Sequence, residues 1–330
     1  MPNVPTSPGG ESGGLSGAQT AVVLRRPAAA HTSDLAPVGG TPLVRLRRVV
    51  PGGVAAQIYA KVEWVNPAGS IKDRPALRMI RDAEARGLLD GTRGLLDSTS
   101  GNTGIALAQI AAGLGHVVTL CLPANASHAR QRLLRILGAR VVLTDPLEGD
   151  DGARAVAKQL AESHPDRYIY LDQYNNPMNW HAHYESTAPE IWEQTGGSVT
   201  HFVAILGTGG TFTGTSRRLK EFDPRITCVT VQPNLAYHGI EGAKHYATSR
   251  VPAVFDPSLA ARQIDVSTED AQVMARRLAK EEGLPAGTSG GANVAAAVRL
   301  ACEIGEGVIV TVLPDNVVKS LGQPQWDEEA

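Results

Sequence analysis

A lysine stands at a turn-to-helix junction in Asn66-Pro67-Ala68-Gly69-Ser70-Ile71-Lys72-Asp73-Arg74-Pro75. Two loops rich in small and hydroxylated residues follow it along the chain. They are Ser98-Thr99-Ser100-Gly101-Asn102-Thr103-Gly104 and Gly207-Thr208-Gly209-Gly210-Thr211. An amine in that company suits a Schiff base with a phosphate-bearing aldehyde, which would be pyridoxal 5'-phosphate (PLP). A lysine before a helix is otherwise a solvated cation, so its chemistry depends on the two loops.

Gly207–Thr211 follows the apolar run Phe202–Leu206 and precedes a helical pattern over Phe212–Glu221. Its glycines let backbone N–H groups approach a ligand, a helix N-terminus favours negative charge, and Thr208 and Thr211 add hydroxyl donors. That is a phosphate cradle, though taken alone it is equally a tight strand-to-helix turn. No Gly-Lys-Ser/Thr follows, which excludes a P-loop, and Phe212 occupies the third glycine position of G-x-G-x-x-G. Thr99–Gly104 offers hydroxyls, an amide and backbone donors without a fixed charge. Such a nest suits a carboxylate that must bind and leave, or else an N-cap with polar neighbours.

The elements around these loops alternate. Apolar runs at Ile58–Val62, Val117–Leu122, Val141–Leu143, Tyr168–Leu171, Phe202–Leu206, Ile226–Val231 and Val308–Leu313 read as strands. Helical patterns lie between them at Pro75–Arg86, Ile105–Gly113, Ala129–Leu137, Ala153–Ser163, Ala188–Gln194, Phe212–Glu221, Thr268–Glu282 and Ala292–Cys302. In the first, Ala76, Met79, Ile80 and Ala83 share one face, Pro75 suits the first turn and Gly87 supplies the stop. This alternation predicts an α/β protein with parallel sheets covered by helices on both faces, and ligands at the carboxyl ends of strands. The segment from Pro233 to Pro257 is less regular.

The chain has 330 residues, 42% hydrophobic and 19% charged, enough for about two domains and a sizeable core. A net charge of −2 points to neither nucleic acid nor an anionic membrane as partner. No apolar run reaches the roughly eighteen residues of a membrane span. Three cysteines lie far apart; Cys121 and Cys228 sit in strand-like apolar runs and read as small core residues. The first thirty or so residues read as a disordered tail with no secretory signal, so the cytoplasm is the expected compartment. His181 and His183 lack a partnering ligand set, and no metal is expected.

At this point the sequence resembles the cysteine synthase and cystathionine β-synthase family, most of all its cysteine synthase B-like members. The likeness runs from about Val38 to Asp315. It is carried by Gly39–Leu43, the Asn66–Arg74 run, Thr99–Gly104, Gln173–Pro177, His183–Glu185, Pro189–Trp192, Gly207–Thr211 and Gly287–Ala292. The resemblance implies PLP fold type II, with two parallel-rich sheet domains and the cofactor in the cleft between them. It implies a tail at 1–33, a smaller mobile domain at 66–177 with 34–43, and a larger cofactor-anchoring domain at 178–330 with 44–65.

It also implies roles. Lys72 would hold PLP and serve as the base. Gly207, Thr208, Gly209, Gly210 and Thr211 would bind the phosphate, Asn102 the ring oxygen, and Ser289 the ring nitrogen. Thr99, Ser100, Gly101, Thr103 and Gln173 would grip the substrate carboxylate. The implied enzyme is a homodimeric transferase that makes L-cysteine from O-acetyl-L-serine or O-phospho-L-serine through an aminoacrylate. Its sulfur would come from sulfide, thiosulfate or a sulfur-carrier protein. Cystathionine synthesis from serine and homocysteine is the nearest alternative, and a diaminopropionate-type synthase stands further off. A dehydratase is disfavoured by Thr103, where that group usually has His. A non-catalytic PLP- or peptide-binding protein is disfavoured by Lys72, Asn102, Gln173 and Ser289 together. Gly40 and Ser98 stand where the family often has Asn and Pro. The segment after Asn316 lacks the aromatic-containing tail of many relatives, an expected source of greater exposure for the intermediate. His238, Lys244 and His245 lie in a segment that differs among relatives with the amino-acid donor.

Overall fold

The computed structural model describes residues 35–99, 101–322 and 326. Ten strands are present there: β1 (Leu43–Leu46), β2 (Gln57–Val62), β3 (Gly94–Ser98), β4 (Val118–Pro123), β5 (Arg140–Thr144), β6 (Tyr168–Tyr170), β7 (His201–Ile205), β8 (Thr227–Pro233), β9 (Arg262–Val266) and β10 (Val308–Leu313). The α-helices are α1 (Asp73–Ala85), α2 (Asn102–Gly113), α3 (His128–Ile136), α4 (Gly149–Ser163), α5 (Met178–Ala182), α6 (Ala188–Gln194), α7 (Gly210–Phe222), α8 (Thr268–Arg277) and α9 (Thr288–Ile304).

Two sheets form. The larger has the order β1-β2-β10-β7-β8-β9, and the smaller β5-β4-β3-β6. The smaller is parallel throughout. The larger is parallel except that β1 pairs antiparallel with β2, in keeping with a parallel-rich sheet. β1 is a four-residue edge strand, too short for periodicity to reveal. β9 was likewise unread: Arg262, Gln263 and Asp265 are exposed on it, as on a strand with one solvated edge.

Helices cover both faces of each sheet, which is why β4 and β8 carry near-continuous buried runs. On the smaller sheet, side chains of α1, α2 and α3 form one core and Ala153 and Ala157 of α4 pack on the other face. On the larger sheet, α8 and α9 supply one core, and α6 and α7 the other through Ile191, Phe212 and Leu219. Cys121 and Cys228 are buried in β4 and β8. Among the described residues no helix is long and apolar enough to cross a membrane.

Several helices begin earlier than their apolar patterns do, three of them beside the strand ends that carry the loops singled out above or the Gly287–Ala292 run. The helix expected from Ile105 starts at Asn102, that from Phe212 at Gly210, and that from Ala292 at Thr288. The extra residues are Gly, Ser, Thr and Asn, poor interior helix formers that apolar periodicity passes over. Winding them into the first turn points their unpaired N–H groups out of the helix end. The long helix expected over Thr268–Glu282 changes to π-helix at Leu278 and stops at Gly283, whose φ is +69°.

Candidate active site

Lys72 immediately precedes α1, and its backbone is fixed from two sides. Ile71 N donates to Pro314 O at 2.8 Å, and Ser70 bridges Asp315 just past the end of β10. The preceding turn is closed by Asp73, whose Oδ2 accepts from Ala68 N at 2.5 Å. Behind it lies a closed network of buried charge. Arg74 binds Glu63 through Nε at 2.7 Å and Glu190 through Nη1 at 2.7 Å, and Lys61 Nζ reaches Glu190 at 2.7 Å. Glu63 also accepts from Thr41 and Asn66, so the turn that presents Lys72 rests on paired groups.

The Lys72 side chain projects into a cavity at the carboxyl ends of the strands. Lys72, Thr99, Gly101, Asn102, Thr103, Gln173, Gly207, Thr208, Gly209, Thr211 and Ser289 all line it. Gly210 does not; it is packed against Asn179, and a Cβ there would run into the Asn179 side-chain oxygen. Ser100 lies outside the described residues. Among the described residues, Lys72 Nζ makes no hydrogen bond and no ion pair. Burial holds its pKa below the usual lysine value, against the pull of Asp315. An amine so placed is available as a nucleophile and base.

The glycine loop fits an oxyanion. Gly209 takes a left-handed conformation (φ +83°) that turns the chain into α7, and a Cβ on Gly207 would strike the Gly242 carbonyl. First-turn N–H groups of α7 have no in-helix acceptor and favour negative charge. Thr208 Oγ1 accepts from Gly210 N at 3.3 Å and from Asn179 Nδ2 at 3.2 Å. His183 Nε2 meets Thr211 Oγ1 at 3.2 Å, and its other ring nitrogen meets Thr187 Oγ1 at 2.9 Å. Burial, with Arg74 and Lys72 nearby, drives the His183 pKa well down, so the ring is neutral at pH 7. The Thr99–Gly104 loop is tied to Gln173: Thr103 Oγ1 donates to Gln173 Oε1 at 2.8 Å, and Gln173 Nε2 to Ser98 O at 3.1 Å. A depressed amine and a loop of helix-start donors lining the same cavity suit an aldehyde carrying a phosphate.

Several cavity residues were not singled out from sequence. Asp315 is the foremost: 8% exposed, it lines the cavity and accepts from Asn102 Nδ2 at 2.6 Å. Burial raises its pKa. The rule that ligands sit at carboxyl ends of parallel strands, applied to β10, points to it. Asn179 and His183 lie behind the Gly207–Thr211 loop, bonded to Thr208 and Thr211. Lys244 lines the cavity, with Nζ 5.2 Å from the centre of the Tyr174 ring. His238 and His245 do not line it. Among the described residues no group of three or more His, Cys, Asp or Glu side chains is placed to hold a metal ion.

Comparison with known proteins gives the geometry a setting. The family model described as "Pyridoxal-phosphate dependent enzyme" matches residues 35–315. The cysteine synthase of Aquifex aeolicus is 50% identical over 290 residues, covering 86% of this chain and 89% of that one. Cysteine synthase B of Escherichia coli is 41% identical over 292 residues, covering 88% and 95%. Among solved structures, O-acetyl serine sulfhydrylase isoform 3 from Entamoeba histolytica superposes with a TM-score of 0.86 at 33% identity, covering 93% and 95%.

Proposed function

The chain belongs to the pyridoxal-phosphate dependent enzyme family, and from that premise we propose that it works as a cysteine synthase, replacing the β-substituent of an activated L-serine by sulfur. The observation that carries this reading is the meeting, in one cavity, of the Lys72 amine, the Gly207–Thr211 cradle and the Thr99–Thr103 nest with Gln173. When bound, PLP supplies an electron sink for charge developing at the substrate α-carbon.

In this reading Lys72 Nζ would hold the cofactor, and the same amine, once free, would take the substrate α-proton. Its unpaired, depressed amine favours the neutral form that a base requires. Gly207, Thr208, Gly209, Gly210 and Thr211 hold the cofactor phosphate, Asn102 faces the ring oxygen and Ser289 the ring nitrogen. A hydroxyl at that nitrogen does not force its protonation, which suits elimination and addition at the β-carbon. Thr99, Ser100, Gly101, Thr103 and Gln173 take the substrate carboxylate. The β-carbon–oxygen bond then breaks, the leaving anion departs, a sulfur nucleophile adds to the β-carbon, and Lys72 returns the proton to the α-carbon.

Lys244 supports O-phospho-L-serine as a donor alongside O-acetyl-L-serine. Among the described residues its ammonium lines the cavity without an ion-pair or hydrogen-bond partner. The same family reading makes the enzyme a cytoplasmic homodimer. In it the part around the smaller sheet closes on the substrate carboxylate, and a carrier-protein thiocarboxylate is among the sulfur sources. Steady-state assays with the two activated serines in parallel, each with sulfide, test the proposal. Cysteine should form with at least one, and Lys244→Gln should lower kcat/KM for O-phospho-L-serine about tenfold, from loss of one charge-assisted contact, and much less for O-acetyl-L-serine. No cysteine with either donor overturns the function; equal losses with both overturn the role of Lys244.

A further inference from the structure

The amide of Asn102 is held at both ends. Its Nδ2 donates to Asp315 Oδ2 at 2.6 Å, and its Oδ1 accepts from Lys319 Nζ at 3.0 Å. The two partners belong to the far end of the chain: Asp315 follows β10, and Lys319 lies on a 3-10 turn over Val317–Ser320. Lys319 is itself fixed, because its Nζ also donates to Ala68 O at 2.7 Å in the turn that leads to Lys72. Gly69 leaves it room, since a Cβ there would approach Lys319 Cε at 3.2 Å. Thus one cation from the C-terminal segment joins the lysine-bearing turn to the start of α2.

A carboxylate only accepts hydrogen bonds and an ammonium only donates them, whereas an amide side chain offers either face. Between them Asn102 has one satisfied orientation; the flipped amide would set oxygen against oxygen and N–H₂ against the ammonium. Nδ2 carries two hydrogens and Asp315 uses one, so the other is left for the cavity that Asn102 lines. We propose that Asp315 and Lys319 are positioning residues that lock the Asn102 amide with its Nδ2 turned to the cofactor's ring oxygen. This rests on the assignment of Asn102 to that oxygen.

A double-mutant cycle on the full chain tests it, read by the affinity of the apoenzyme for PLP and by the visible absorption band of the holoenzyme. Asn102→Ala and Lys319→Met should each weaken PLP binding about fivefold, the scale of one modest hydrogen bond, and move the band in the same direction. Because Lys319 acts through Asn102, adding Lys319→Met to Asn102→Ala should change neither readout further. Effects that multiply in the double variant, or an unaltered Lys319→Met, overturn the lock and leave the Asn102 assignment standing. An unaltered Asn102→Ala removes the assignment itself. Should Lys319→Met not fold, Asp315→Asn replaces it. Its amide can donate to a flipped Asn102 as readily as accept from Nδ2, so one of the two constraints on the orientation is lost and the same cycle applies.

Discussion

Two clusters of buried charge lie on either side of the start of α1, and they are built oppositely. Behind it, Lys61, Glu63, Arg74 and Glu190 form two cations and two anions, joined by three ion pairs of 2.7 Å. In front, Lys72, Asp73, Asp315 and Lys319 again make two of each sign, yet no ion pair within 4.0 Å is present among them. The same residue types therefore do different work within a few positions of one another. The rear charges neutralise one another, whereas in front Asp73, Asp315 and Lys319 bond to backbone and amide groups and the Lys72 amine alone is left open to a ligand. Burial costs several kcal/mol per ion unless partners offset it, and the Lys72 amine, without a partner, meets that cost by a lowered pKa.

Removing Lys72 separates the two most sharply. Lys72→Ala should lower cysteine formation by about a thousandfold or more, the scale expected for a group serving as both anchor and base. It should leave the apoenzyme as stable as before or slightly more so, since an unpaired buried amine is gone. Denaturant unfolding of apoenzyme beside an activity assay gives both numbers. A large loss of stability would place Lys72 in the structural cluster. Arg74→Met is the converse. It strands Glu63, leaves Glu190 with Lys61 alone, and should cost about 3–5 kcal/mol of stability, the usual penalty for breaking a buried pair. Equal stability of Arg74→Met and the unaltered protein would erase the distinction.

The front cluster also marks how far the sequence could be read. Lys72, Asn102 and the glycine loop were legible because their residue types are unusual in local context: an amine before a helix, an amide and glycines at strand ends. Asp315 and Lys319 were not. Each is one polar residue in an ordinary surface-like stretch, and only the pairing of β10 with β2 and β7 carries them to the cavity. The closed network was also invisible, although Arg74 and Glu190 belong to quoted motifs, because 116 positions separate them. The alternation of strands and helices was plain, while the starts of α2, α7 and α9, wound from Gly, Ser, Thr and Asn, were read late. Residues of those first turns, Asn102, Thr103, Thr211 and Ser289, line the cavity, so local propensity gave way where the helices open onto it.

The smallest effect is the dependence of stability on pH, and its sign differs between the clusters. Burial alone would raise the Glu190 pKa, but Arg74 and Lys61 hold it down to about 2 from 4.5. A depressed carboxyl contributes stability above its unfolded pKa, and that contribution is lost as pH falls through the folded value. Asp73 runs the other way: burial, only partly opposed by the Ala68 N–H and by Lys319, raises it from 3.8 to about 6. The native state then binds the proton more tightly than the unfolded chain does. Its contribution is whole below pH 3.8 and is lost as pH rises through about 6. Unfolding free energies measured from pH 2 to 8 should therefore change slope in opposite directions in two variants. Glu190→Gln should flatten the acid limb and Asp73→Asn should flatten the fall between about pH 4 and 6, each by about 1–3 kcal/mol across its window. Two variants that flatten the same limb would mean that the front and rear clusters are one electrostatic unit, and that pairing does not divide structure from function at Lys72.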